Sequence, residues 1–350
     1  MRLNLFKRVA IIVPSLSKKG PVIVANSLAT KLTECGHYVT LFYLSQGEAE
    51  LGFSVRTKHL TLGNIKQLYD YDICHSHSFR PDLLLALFSV FKKQNQRIVS
   101  TIHNIVHRDL EYDYGAFVSK LVSKIWLFLW DRFDFVISLS EFSQNYYNAF
   151  SLNTLVINNG VSVEVNLSEL EEQGIDFFSE HSIKIISTSS LSIRKNLDLV
   201  LHAVHYDQNL ELILVGEGPE SDRLKKLSSE LNISQRVHFM GFRNNPQAFF
   251  RYSDVFVLPS LSEGHPLGLI EAASQGLPCA ISRIPETKEF FNESEVAYFQ
   301  IDNIHEFSKA VKHCFTNSKT FSRALLNKYY SAYTVAKMAE SYLEVYNGTD

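Results

Sequence analysis

Short apolar runs able to be buried on both faces recur along this 350-residue chain, and most are followed by a stretch of helical spacing. "RVAIIVPSL" is the first. Being continuous rather than alternating, it fits a strand of a parallel sheet with helices above and below. "PVIVANSLATKLTECG" follows as a helix, with Pro21 at its start and Gly36 at its end. Strand runs "YVTLFYLS", "DICHSHS", "RIVSTIHN", "FVISLS" and "TLVINNG" interleave with helical "PDLLLALFSVFKK" and "FVSKLVSKIWLFLWDRF". The second half restarts the pattern with strands "IKIISTSS", "LELILVGEG", "VHFMGF", "VFVLPS" and "PCAIS". Its helices are "NLDLVLHAV", "SDRLKKLSSEL" and the segment that begins near Pro266. Residues 162–181 are polar and acidic with weak periodicity and read as a linker, and residues 319–347 read as helical. The pattern predicts an α/β chain of two doubly wound, Rossmann-like domains. They span 1–162 and 163–331, and the terminal helix, 332–350, packs back on the first. Facing each other, the two would form a cleft lined by the carboxyl ends of both sheets, where ligands of open α/β sheets bind.

Apolar residues make up 45% and charged ones 20%, a soluble globular balance rather than a disordered or membrane one. A net charge of −3 gives no reason to expect nucleic acid as a partner. Cys35, Cys74, Cys279 and Cys314 lie far apart, without the paired spacing of a zinc or redox site, and read as small buried groups of a reducing compartment. The first apolar run is too short for a leader, and no segment reaches the 18 or so apolar residues of a membrane span. The expected location is the cytoplasm, with room for a peripheral contact at the inner face of its membrane.

The residues at strand ends are the candidates for chemistry. After "VFVLPS", Gly264, His265 and Leu267 present backbone N–H groups where a helix starts at Pro266, an end that attracts phosphate. Glu263 stands just outside that helix and can accept from hydroxyls, while Glu271 lies one to two turns inside and suits a ribose diol. Arg194 and Lys195 in "TSSLSIRKN" could neutralise a diphosphate. Gly216 in "LVGEGPE" allows close approach of a ligand to the backbone, and Gly241 with Phe242 in "FMGFRNN" suits a planar base. His75 and His77 share one face of a strand at a spacing that could serve a metal, but without acidic or cysteine partners they read as core or cleft packing. Asp70 and Asp72 read as a turn rather than a metal motif.

These segments resemble the retaining glycosyltransferases of GT-B fold, group 1 or family 4 type, which serve bacterial surface-polysaccharide and lipopolysaccharide assembly. The hallmark is two glutamates with seven residues between them, and "PSLSEGHPLGLIEAASQGLPCAIS" matches that block throughout. "TIHN", "VISLSEFS", "VINNGV", "RKN", "LVGEGPE" and "MGF" follow the family's order along nearly the whole chain. The resemblance implies that Glu263 binds donor-sugar hydroxyls and that Gly264, His265, Pro266 and Leu267 hold sugar and phosphate. Glu271 would grip the ribose, Arg194 and Lys195 the diphosphate, and Gly241, Phe242, Gly216 and Glu217 would border the nucleotide. His103 would face the anomeric centre, and Gly20 and Asn159 would lie near the donor. The chain departs from the family in having Ser190 where an arginine is usual, and Gly20 alone where a glycine pair is usual. The first departure bears on diphosphate binding, the second on how closely the loop approaches the sugar.

The implied activity is transfer of a hexose or N-acetylhexosamine from a nucleotide-diphosphate sugar, with UDP expected, to a glycan or lipid-linked saccharide. A nucleotide diphosphate leaves without protonation, so positive charge from Arg194, Lys195 and a helix end is expected to suffice without metal or other cofactor. The inherited mechanism is front-face retention. Alternatives are a nucleotide-sugar epimerase of the same architecture, which would lack the glutamate block, and a non-catalytic glycan-binding member. A lipid-linked acceptor would call for a basic-aromatic surface on the first domain. "FVSKLVSKIWLFLWDRF" offers Lys120, Lys124 and Arg132 beside Trp126, Phe128 and Trp130, with Lys92 and Lys93 on the preceding helix. The competing reading buries those aromatics against the sheet.

Overall fold

The computed structural model describes residues 6–47, 52–162 and 182–348. Beyond Ser162, the expected linker lies outside the described residues. The chain divides into two compact units, one running to Val161 and resuming at Tyr333, the other formed by the residues between.

The first unit holds β1 (Arg8–Ser15), α1 (Gly20–Glu34), β2 (Tyr38–Ser45), β3 (Arg56–His59), β4 (Ile73–His77) and α2 (Phe79–Phe88). β5 (Arg97–Ile102), α3 (Val106–Tyr114), α4 (Ala116–Trp130), β6 (Phe135–Ser138), α5 (Glu141–Asn148) and β7 (Leu155–Val156) complete its continuous part. Its seven strands are all parallel, in the order β3-β2-β1-β4-β5-β6-β7. The run Val9–Val13 has no exposed surface, as its continuous apolar character requires. Sequence order reverses between β1 and β4, and that switch point is where a doubly wound sheet opens a ligand crevice.

The second unit repeats the topology. Its elements are β8 (Ile183–Thr188), α6 (Leu197–Tyr206), β9 (Leu210–Val215), α7 (Ser221–Glu230), β10 (Val237–Gly241), β11 (Val255–Leu258) and α8 (Leu267–Ser274). β12 (Cys279–Ser282), α9 (Pro285–Phe290), β13 (Ala297–Phe299), α10 (Ile304–Thr316) and α11 (Ser318–Ala332) follow. The parallel order β10-β9-β8-β11-β12-β13 switches between β8 and β11. Ile185, Leu212 and Val257 of the sheet pack with Leu201, Val204, Phe307 and Val311 of helices into one core.

Several boundaries differ from expectation. The expected helix from Pro81 to Lys93 starts at Phe79, stops at Phe88 and passes into a short 3-10 turn, Ser89–Phe91. The terminal helical stretch is broken at Tyr333, where the chain re-enters the first unit. α12 (Val335–Asn347) then begins behind Thr334, whose hydroxyl accepts from the Lys337 N–H. That helix packs on α1 in the first unit. Re-entry is tight: Val161 N–H donates to Tyr333 O at 3.0 Å, and any Cβ at Gly160 would overlap the Thr334 carbonyl. Among the described residues, no helix is long and apolar enough to cross a membrane.

Candidate functional site

In the second unit the loops after β8, β9, β10 and β11 are tied to one another by backbone bonds. Leu191 N–H donates to Glu217 O at 3.0 Å, Gly216 N–H to Gly241 O at 2.9 Å, and Leu261 N–H to Arg194 O at 2.9 Å. Gly216, at φ +142°, passes so close to the first of these loops that a Cβ would overlap the Ser189 carbonyl. Only glycine fits there. The arrangement collects Ser190, Arg194, Lys195, Gly216, Glu217, Gly241, Glu263 and Gly264 on loops at the carboxyl end of one sheet. Ser190 is exposed, Phe242 is 37% exposed at the end of β10, and the Glu217 carboxylate lies over Gly241.

At the switch point the chemistry is concentrated on Glu263. Its side chain is 5% exposed and accepts from Lys195 Nζ at 2.5 Å and from Arg194 Nη1 at 3.3 Å. Arg194 Nη1 also donates to Ser262 O at 2.6 Å, which ties the guanidinium to the loop that carries the glutamate. Burial alone would push the Glu263 carboxyl up, but the charges of Lys195 and Arg194 outweigh it and hold the group at about 2. Glu263 is therefore ionised at neutral pH, and with a lysine and an arginine against it the trio carries one net formal positive charge, two cations less one carboxylate.

Pro266 does not open the helix as its first residue. It stands just before Leu267 with φ −74° and ψ 101°, an extended turn from which its carbonyl accepts the Leu269 and Ile270 N–H groups. His265 is buried, its ring edge-on to Phe290 at 4.2 Å, and burial lowers its pKa to about 3 against the pull of Glu263. Glu271, in the second turn of α8, is 9% exposed. Sequence reasoning passed over Glu286, which lies fully buried near Ser262, whose hydroxyl donates to its Oε1 at 3.4 Å. The only signal was a Pro-Glu pair after an apolar run.

In the first unit, α1 starts at Gly20 behind the end of β1, and Asn159 is buried in the loop after β7. His103 follows β5, half-buried, with its Nε2 2.8 Å from Nδ1 of His77. His75 and His77, on one face of β4, bring their rings to 4.4 Å between centroids, tilted by 35°. His75 Nδ1 meets Tyr346 Oη at 2.7 Å and its Nε2 meets Thr101 Oγ1 at 2.8 Å, while Thr101 also meets Tyr342 Oη at 2.7 Å. Burial lowers the pKa of His75 and of His103 to about 3 and that of His77 well below its usual value, so all three rings are neutral. Next to them Ser78 sits at φ 79°, ψ 166°, a backbone region otherwise left to glycine. Asp70 ends a 3-10 helix, Leu62–Asp70, and Asp72, in the bend before β4, accepts from the Arg8 N–H of β1 at 2.7 Å. Among the described residues, no group of three or more His, Cys, Asp or Glu is arranged to hold a metal ion.

The aromatic helix α4 corrects one expectation. The indoles of Trp126 and Trp130 point inward and donate to Asp82 Oδ2 at 2.6 and 3.0 Å, while Ser76 and Ser100 donate to Oδ1. Burial pushes the Asp82 carboxyl up to about 6 despite those four donors. Lys92 is likewise engaged, with Asp134 at 2.5 Å. The outer face of α4 instead exposes Phe117, Leu121, Ile125 and Phe128 beside exposed Lys120 and Lys124.

Residues 170–329 match the family model "Glycosyl transferases group 1", and residues 19–165 match "Glycosyltransferase Family 4". The chain is 29% identical to the O-antigen biosynthesis glycosyltransferase WclY of Escherichia coli, over 97% of this chain and 98% of that one. It is 30% identical to the Escherichia coli UDP-Gal:alpha-D-GlcNAc-diphosphoundecaprenol alpha-1,3-galactosyltransferase, over 55% and 53%. In structure it is similar to HepE of Anabaena, solved in complex with UDP, with a TM-score of 0.79, 17% identity, and coverage of 97% of this chain and 100% of the other. Two adjoining family matches, a relative of the same length and the block holding Glu263 and Glu271 converge: the chain belongs to the group 1 glycosyltransferases of GT-B fold.

Proposed function

We propose that this glycosyltransferase moves a hexose or N-acetylhexosamine from a UDP-sugar to a glycan or lipid-linked saccharide of surface-polysaccharide or lipopolysaccharide assembly, with retention at the anomeric carbon. The observation that carries the reading is the buried, ionised Glu263 clasped by Lys195 and Arg194 at the switch point of the second sheet. The net positive charge of the trio suits a diphosphate leaving group, whose charge grows as the glycosidic bond breaks. Glu263 offers carboxylate lone pairs to sugar hydroxyls, and Glu271 one helical turn or more away offers them to the ribose. Retention follows the front-face route, in which the departing phosphate oxygen takes the acceptor's proton. The charge comes from side chains and a helix end, so transfer proceeds without a metal. Support for the UDP-sugar and the lipid-linked acceptor comes from the relatives, one named for a UDP-galactose donor and a diphosphoundecaprenol acceptor.

A peripheral membrane contact belongs to the same reading. The face that supports it is the exposed row Phe117, Leu121, Ile125 and Phe128, flanked by Lys120 and Lys124, and not the tryptophans. Basic residues at an anionic surface contribute on the order of 1 kcal/mol each.

The test is a panel of nucleotide sugars against lipid-linked acceptors in excess EDTA, with products read by mass spectrometry and anomeric NMR couplings. An α-linked product from an α-linked donor is expected. Products of inverted configuration, free isomerised donor, or activity only after manganese is restored would each overturn part of the reading.

A further inference from the structure

The 2.8 Å contact between His77 Nδ1 and His103 Nε2 needs one proton between the two nitrogens. Two arrangements supply it. If His103 donates from Nε2, then His77 accepts on Nδ1 and its own proton is forced onto Nε2. That atom is buried and has no hydrogen-bond partner among the described residues, so an N–H would be stranded there. A buried unpaired donor costs about 1–3 kcal/mol, and orphaned buried N–H groups are rarer than under-used acceptors. If instead His77 donates from Nδ1, only a lone pair is left at its Nε2. The second arrangement leaves less unsatisfied.

The surroundings hold His77 in that role. Its ring lies against that of His75, tilted by 35° with centroids 4.4 Å apart, and His75 is fixed in turn by Tyr346 on one nitrogen and Thr101 on the other. Neutral rings throughout mean that the proton count in the contact is one.

We propose that His77 is the positioning residue of His103, donating its Nδ1 proton to His103 Nε2 and so holding His103 as the Nδ1–H tautomer. His103 then presents an N–H donor, not an acceptor, at its other ring nitrogen. Resting on the glycosyltransferase reading above, this makes the first unit's contribution a hydrogen-bond donor to a substrate oxygen. It could not act as a base toward the acceptor hydroxyl without losing the bond to His77.

The tautomer can be read without any donor or acceptor. In long-range ¹H–¹⁵N spectra of the full chain labelled at histidine nitrogens at pH 7.5, the signals that vanish in His103→Gln identify His103. Protonated Nδ1 and unprotonated Nε2 are expected. In His77→Phe, which keeps a ring of similar size but no donor, His103 should shift to the Nε2–H form that free histidine prefers. His77→Asn, whose amide nitrogen occupies the place of Nδ1, should retain Nδ1–H. An Nε2–H signal in the unsubstituted chain overturns the proposal, as does an unchanged tautomer in His77→Phe. A failure of the glycosyltransfer reading would appear only in product analysis, so the two failures are separable.

Discussion

The two units share one topology and bury opposite kinds of polar chemistry at their switch points. The first holds neutral groups around β4 and β5: His75 bonded to Tyr346 and to Thr101, which meets Tyr342, and beside it a buried His77 bonded to half-buried His103. The second buries a charged group, Glu263, against half-buried Lys195 and Arg194. Charge in a low-dielectric site is strongly directional toward a charged ligand, whereas neutral rings orient hydroxyls without competing for a diphosphate. On the function proposed above, the same scaffold divides the labour by what it desolvates.

Breaking the charged side should have the largest effect. Glu263→Gln leaves Lys195 and Arg194 facing a neutral amide, at about 1.5–3 kcal/mol per lost charge-assisted bond. Transfer should fall by roughly 10- to 100-fold, while Glu271→Gln should act mainly on nucleotide affinity. Initial rates and calorimetric titration with UDP separate the two, and identical behaviour would erase the division of roles.

Acid should discriminate the units next. The folded pKa values of His75 and His103, about 3, lie below the usual 6.5, and burial holds His77 well below it too. The folded state therefore binds fewer protons than the unfolded chain below pH 6.5, and stability present above that pH is lost as pH falls toward 3. Asp82 opposes this: with its pKa raised to about 6, the cost of its buried charge is relieved between pH 6 and 4. Three rings outweigh one carboxyl. Among the described residues of the second unit, His265 acts this way, and Glu263, held at about 2, gives up its contribution only below about 4.5. Hydrogen exchange at pH 5 and 7.5, corrected for intrinsic rates, should show protection lost first around β4, β5 and α12. Earlier loss around β8 and β11 would contradict the comparison.

Asp82→Asn probes a smaller term. An amide cannot accept from two hydroxyls and two indoles at once, so about 1–3 kcal/mol should be lost, seen as a lower Tm and a shift in tryptophan emission. Smallest of all is Ser78→Gly. Relief of the glycine-type backbone is worth about 1–3 kcal/mol, offset by roughly 0.5–1 kcal/mol of chain entropy. A rise in Tm of about 1–3 °C is expected, and a fall would show that Ser78 is not strained.

How much of this was legible in the sequence depended on whether neighbours in space were neighbours in the chain. Continuous apolar runs such as Val9–Val13 announced both sheets, because strands buried on two faces leave no ambiguity of period. The edge strands β3, "RTKH", and β13, "AYF", were not legible, being short and, for β3, wholly polar. The polar α3 was missed for the same lack of an apolar stripe. The glutamate block was readable because its spacing is local. That Lys195 and Arg194 bond to Glu263, 68 and 69 residues away, was not. Nor could "HSH" reveal which of its histidines meets His103, since β4 and β5 must first be laid side by side.

The re-entry at Tyr333 makes the second unit an insertion within the first. Val161 and Tyr333 are already joined by a hydrogen bond, while α12, which carries Tyr342 and Tyr346, follows the whole second unit in sequence. On the ribosome, then, the unit that begins first finishes last. Until the final turns emerge, His75 lacks Tyr346 and Thr101 lacks Tyr342, and the nascent first sheet carries an uncovered polar seam. The second unit, contiguous in sequence, can close in the meantime. Vectorial synthesis therefore gives the second unit a head start, and a premature stop before Val335 would leave the first unit without α12.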